Sequence, residues 1–219
     1  MTQYEMDHAL WTAAWLGRLK TAKKLLDAGA RIDAVDRNGW QAMHWAAAGG
    51  SLEVAGFLLE KGGKVDARDG GGRQPLHHAA GGGFVEMIGF LLRNGARVDD
   101  PDGCGSQPLH AAALNGRVLA AKTLIENGAK VEAQDCEGFR PLHLASAHGQ
   151  APVVQMLLAA GEHPDVPAGN GKTPLKLAEK YPEVCRILQS AMQKVDEEYE
   201  ASRARLRRIL ARRPPAPGL

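Results

Sequence analysis

The chain has 219 residues, of which 44% are hydrophobic and 24% charged, and a formal net charge of +2. That balance is ordinary for a soluble protein; the apolar runs are far too short to cross a bilayer, and the opening segment does not read as a signal peptide. Three cysteines, an odd and sparse set, make a poor disulfide framework and fit a reducing compartment, so the cytosol or nucleus is the expected location.

From the amino terminus onward the chain repeats itself every 33 residues. Leu10, Gly17, Leu25-Leu26 and Gly29-Ala30 open a register that becomes plain at Gln41-Ala42-Met43-His44. It returns as Gln74-Pro75-Leu76-His77, Gln107-Pro108-Leu109-His110 and Arg140-Pro141-Leu142-His143. Gly50, Gly83, Gly116 and Gly149 follow six residues after each histidine. The pairs Leu58-Leu59, Leu91-Leu92, Leu124-Ile125 and Leu157-Leu158 precede a closing Gly62, Gly95, Gly128 or Gly161. Thr173-Pro174-Leu175, Ala178 and Ile187-Leu188 end the register. A fixed period of this length marks a solenoid. Its six units span 4–35, 36–68, 69–101, 102–134, 135–167 and 168–189, the outer two degenerate.

Proline is favoured at the first helical position, where its missing N–H would have no partner, so helices are predicted to start at Pro75, Pro108, Pro141 and Pro174. Leu76, Ala79 and Ala80, with their equivalents, fall on one buried stripe. The glycine after each first helix suits a tight turn into a second, and the closing glycine a left-handed residue beyond it. Each unit is thus two antiparallel helices and a projecting turn, and neighbouring units supply the core that one alone cannot form. Gln41, Gln74, Gln107 and Arg140 stand where a good capping residue belongs, a loss of about 1 kcal/mol per helix. The third unit, with Gly70, Gly71, Gly72, Gly81, Gly82 and Gly83, is the expected soft point.

This pattern strongly resembles the ankyrin repeat family over residues 4–190. The resemblance implies an all-α solenoid of stacked helix-turn-helix units with projecting β-turn or hairpin tips. It also implies a hydrogen-bonding core slot for His44, His77, His110 and His143 and a turn role for Asp36, Asp69, Asp102 and Asp135. The function it implies is non-enzymatic protein binding. No catalytic set, cofactor or metal site is expected. Gly171-Lys172-Thr173 lacks the first glycine of a phosphate loop, Val166 standing in its place, and Cys104 and Cys136 are small residues on successive tips.

Binding is expected on residues that the period leaves free, which repeat geometry places on one concave face. At the tips these are Arg37, Asn38, Trp40, Arg73, Ser106, Glu137 and Phe139; at the helix ends they are Trp15, Leu114, Asn115 and His148. Trp40, Phe139, Arg37 and Arg73 are the expected anchors of a protein or peptide partner, since aromatic and arginine side chains dominate binding hot spots. In the alternative, Trp15 caps the amino-terminal edge and Trp40 lies flat on the neighbouring turn.

After Leu188 the period stops, and Met192, Val195, Tyr199, Ser202, Leu206 and Ile209 continue at alternating spacings of three and four, a heptad stripe. A helix is predicted over 190–213, before a Pro-rich, disordered end at 214–219. Its charge is segregated: Asp196, Glu197, Glu198 and Glu200 come first, then Arg203, Arg205, Arg207, Arg208, Arg212 and Arg213. Three readings stand open: a helix that caps the array, one that pairs with a partner or with itself, and a basic patch for nuclear import, nucleic acid or acidic lipid. The chain is otherwise expected to be monomeric.

Overall fold

A computed structural model describes residues 1–211 and, among them, twelve helices and no strand. They form six consecutive pairs: α1 (Gln3–Trp15) with α2 (Leu19–Asp27), α3 (Ala42–Ala48) with α4 (Leu52–Glu60), and α5 (Pro75–Gly82) with α6 (Val85–Arg93). The series continues with α7 (Pro108–Leu114) and α8 (Val118–Glu126), α9 (Pro141–Ala147) and α10 (Ala151–Ala159), and α11 (Pro174–Leu177) and α12 (Pro182–Ala211). Each first helix packs on the first helix of the next unit, and each second helix on the next second helix. The result is a two-layer stack with tips projecting from one side.

The period sets the packing residue by residue. Leu10, Met43, Leu76, Leu109 and Leu142, one per unit, are buried under the first helices. Ala13, Ala46, Ala79, Ala112, Ala145 and Ala178 form a buried column that lets these helices approach closely. Leu25, Leu58, Leu91, Leu124 and Leu157 fill the second layer. The turn between layers needs a left-handed residue, which Gly50 supplies at φ 66°. In the third unit, the expected soft point, α5 still runs through Gly81 and Gly82.

Histidines join the units. The Nδ1 atoms of His44, His77, His110 and His143 each accept the backbone N–H that precedes their own helix, from Gln41, Gln74, Gln107 and Arg140, all at 3.1 Å. That bond leaves the proton on Nε2, which points into the next unit. His44 Nε2 lies 3.0 Å from the Ala67 carbonyl and 3.2 Å from that of Arg73; His77 and His110 reach the carbonyls of Ser106 and Phe139 at 3.0 Å. The Nε2 of His143 faces the Val166 and Lys172 carbonyls outside hydrogen-bonding geometry. In the first unit Trp11 occupies this slot, and its indole N–H donates to Ala34 at 3.2 Å, the position 33 residues before Ala67. Trp11 is therefore buried, more fully than the partial burial its place beside the stripe suggests. The glutamines make no side-chain cap bond; of the units that follow the first, only the last has one, in which Thr173 Oγ1 accepts the Lys176 N–H at 3.3 Å.

The fifth unit departs from the pattern in three linked places. Glu162 takes a slot that is Ala96 and Ala129 in the units before it, and Arg140 takes the slot of Gln74 and Gln107. The two side chains meet at 2.8 Å, 0% and 15% exposed respectively. Burial holds the Glu162 carboxyl above its ordinary range against the pull of Arg140, and its Oε2 has no partner. Ser146, where Ala80 and Ala113 precede it, is fully buried with its hydroxyl unpaired.

The last helix does not begin near residue 190. It starts at Pro182 as the second member of the sixth pair and runs without interruption to Ala211, a rod of ~45 Å. Arg212, Arg213 and the Pro-rich 214–219 lie outside the described residues.

Three outcomes are expected. Ser146→Ala removes an unsatisfied buried hydroxyl and raises stability by about 1 kcal/mol in urea unfolding. Glu162→Ala alone strands a half-buried guanidinium and costs roughly 3 kcal/mol, whereas Arg140→Gln/Glu162→Ala restores the side chains of the unit before and unfolds close to the parent. The third concerns pH. Burial holds His44, His77, His110 and His143 below the usual histidine range and His78 down to about 4, against 6.5 for a free ring. Between those values the unfolded chain binds more protons, so stability is complete above pH 6.5 and is lost as the pH falls toward the folded values, His78 alone contributing on the order of 3 kcal/mol. A urea midpoint that holds steady from neutral to mildly acidic pH would show that burial does not hold the rings below the ordinary histidine range.

Candidate functional site

The tips are built from one aspartate each. Asp36 Oδ1 accepts the N–H groups of Asn38 and Trp40 at 2.8 and 2.9 Å, and Asp69, Asp102 and Asp135 do the same in their own turns. Successive tips are then tied by backbone bonds: Gly70 N–H to Asn38, Gly103 to Gly71, Cys136 to Cys104 and Gly169 to Glu137, at 2.8 to 2.9 Å. A Cβ at Gly70 would sit 2.8 Å from the Asn38 carbonyl oxygen, so glycine eases that approach, although Cys136 makes the equivalent bond with a Cβ. The tips thus form one hydrogen-bonded row beside the first helices, and the space between row and helices is the candidate site.

At the amino-terminal end, Trp15, Arg37 and Asn38 line a cleft of about 420 Å³ together with Tyr4, His8 and Trp45. Trp15 is 51% exposed. At the centre, Trp40, Arg73, Ser106, Leu114 and Asn115 line a groove of about 320 Å³, its floor opened by Gly81 and Gly82. Along the outer side of the tips, Arg37, Asn38, Trp40 and Arg73 share a further cleft. Glu137 lies in a separate one with Cys136 and Asn170. Phe139 is half-buried, packed edge-on against His143 with ring centres 5.8 Å apart. His148 is exposed and bonds back to Leu144 of its own helix at 3.0 Å. These last two line none of the clefts described.

Two anchors are held by their neighbours. Trp40 is half-buried, its ring centre 4.0 Å from that of His78 and 4.8 Å from Trp45, so it lies against the next unit and presents only part of its surface. His78 is fixed in turn by Asp69, 3.0 Å away; burial, with His44 nearby, keeps its ring neutral. Arg73 is 58% exposed and steadied by Asp102 at 3.2 Å. The indole N–H of Trp45 is buried without a partner.

Trp45 and His78 were not among the expected site residues, being adjacent to the core histidines. A signal was present: positions 12, 45, 78, 111 and 144 read Thr, Trp, His, Ala and Leu, a slot that varies while its neighbours repeat. Arg203, Arg205 and Arg207 are exposed on α12, away from the groove; the side chain of Arg208 is outside the described part. Among the described residues no group of three or more His, Cys, Asp or Glu side chains is placed to hold a metal ion, and no helix is long and apolar enough to cross a membrane.

No curated protein matches the chain. A family model described as ankyrin repeats in three copies matches residues 10–102 and again 98–168. With its joints, tips and 33-residue period in register across that span, the chain belongs to the ankyrin repeat family.

Proposed function

We propose that the chain is a non-enzymatic binding module that holds a protein or peptide partner in the groove between its tips and first helices. Ankyrin repeats are in general protein–protein interaction modules. The observation that carries the reading is local: where the period relaxes, Trp40, Arg73, Gly81, Leu114 and Asn115 gather around one groove. Leu114 and the exposed part of Trp40 offer apolar contact, while Arg73 and Asn115 offer donors. Because the tip row is tied by backbone bonds, little ordering opposes binding there. Trp15 and Arg37 extend the same face toward the amino terminus.

Filling the groove without touching the core tests this. A Cβ on Gly81 would meet nothing closer than 3.4 Å, so Gly81→Gln projects a side chain into the groove while gaining roughly 0.5–1 kcal/mol of helix propensity. The expected outcome is a variant at least as stable as the parent that has lost its partner in affinity capture from nuclease-treated lysate, while a chain ending at Ser190 keeps it. Retention by the filled variant and loss on truncation would move the function to α12.

A further inference from the structure

Beyond the array, α12 carries a face that the described residues leave bare. Val184 and Leu188 are buried against the stack, Ala191 and Met192 are half-buried, and from Gln193 to Arg205 every residue is exposed. The packed face nevertheless continues. Val195 and Tyr199, 37% and 65% exposed, follow Met192 along it, and the sequence extends the stripe through Ser202, Leu206 and Ile209. A helical extension of this length is marginal in water without tertiary packing.

We propose that α12 pairs with α12 of a second copy, the two helices running antiparallel. One register satisfies the whole stripe. Met192 falls opposite Ile209 of the second copy, Val195 opposite Leu206 and Tyr199 opposite Ser202, because each pair is equidistant from the point between Glu200 and Ala201. The large Tyr199 is thereby matched with the small Ser202. The residues flanking the seam agree. In an antiparallel pair Asp196 faces Arg203 of the second copy and Glu198 faces Arg205, four opposite-charge contacts by symmetry. A parallel pair keeps only the contact of Glu198 with Arg203 and sets the acidic turn beside its own copy. Within the described residues Asp196, Glu198 and Arg205 have no ion-pair partner in their own chain, and Arg203 reaches Glu200 at 3.5 Å. At the base of the rod a groove of about 580 Å³, walled by Leu158, Pro164, Ile187, Ala191 and Val195, lies where the far end of the second helix arrives. Ser202 reduces the apolar contact, so the pair is weak and concentration-dependent. It is independent of the groove on the array.

Sedimentation equilibrium of the full chain at low salt tests the pairing. Its mean mass should rise from one chain toward two with concentration. Asp196→Arg/Glu198→Arg and Arg203→Glu/Arg205→Glu, with helicity verified by circular dichroism, should each remain single and associate only when mixed. Orientation is read by disulfide formation in a Cys104→Ala/Cys136→Ala/Cys185→Ala background. A Tyr199→Cys chain should cross-link to a Ser202→Cys chain in preference to itself. A mass of one chain at every concentration, association indifferent to the charge reversals, or preferential Tyr199→Cys self-linkage would overturn the proposal.

Discussion

The bond from His44, His77 and His110 into the next unit is the constraint on which the rest of the array depends. A neutral imidazole offers one acceptor and one donor on opposite sides of a rigid ring. Here the acceptor takes the N–H at the start of the helix that carries the ring, and the donor takes a carbonyl of the following tip. One side chain thus sets where its own helix begins and where the neighbouring turn sits. The same bond keeps a tip carbonyl from being buried without a partner.

Two further constraints become possible once the tips are held. Their aspartates turn inward onto backbone N–H groups, so four carboxylates stabilise turns and leave the face to other side chains. The tip-to-tip bonds fix the spacing of those side chains. Variation is then cheap at a few places only: the last tip residue, the residue after each histidine, and the end of each first helix. Trp40, Arg73, Ser106 and Phe139 show the first; Trp45, His78, Ala111 and Leu144 the second. Family membership and individual binding surface are separated within single units, by a few residues.

The architecture was legible because it is periodic. Leu76 and Ala79 recur with a fixed neighbourhood, so one unit predicts the next. The site was legible only in part. Trp40 and Arg73 were found as departures from the period at exposed positions, and the groove includes both. His78 and Trp45 were hidden by adjacency to a core residue, since a helix turns by about 100° per residue and sequence alone does not say which neighbour faces out. Arg140 was visible as an oddity and Glu162 was passed over, because their pairing joins positions 22 residues apart across the fold. The start of α12 was missed because the sixth unit blends into the heptad stripe without a breaker after Pro182.

Trp11 gives the stack a direction. Its indole makes the same kind of bond as the histidines but has no basic nitrogen to gain a proton. The first joint is therefore indifferent to acid, while a proton taken up by His44, His77 or His110 lands on Nδ1 and breaks the bond to the start of that ring's own helix. A falling pH therefore acts on helix starts from the second unit onward and spares the Trp11 bond that ties the first unit to the second.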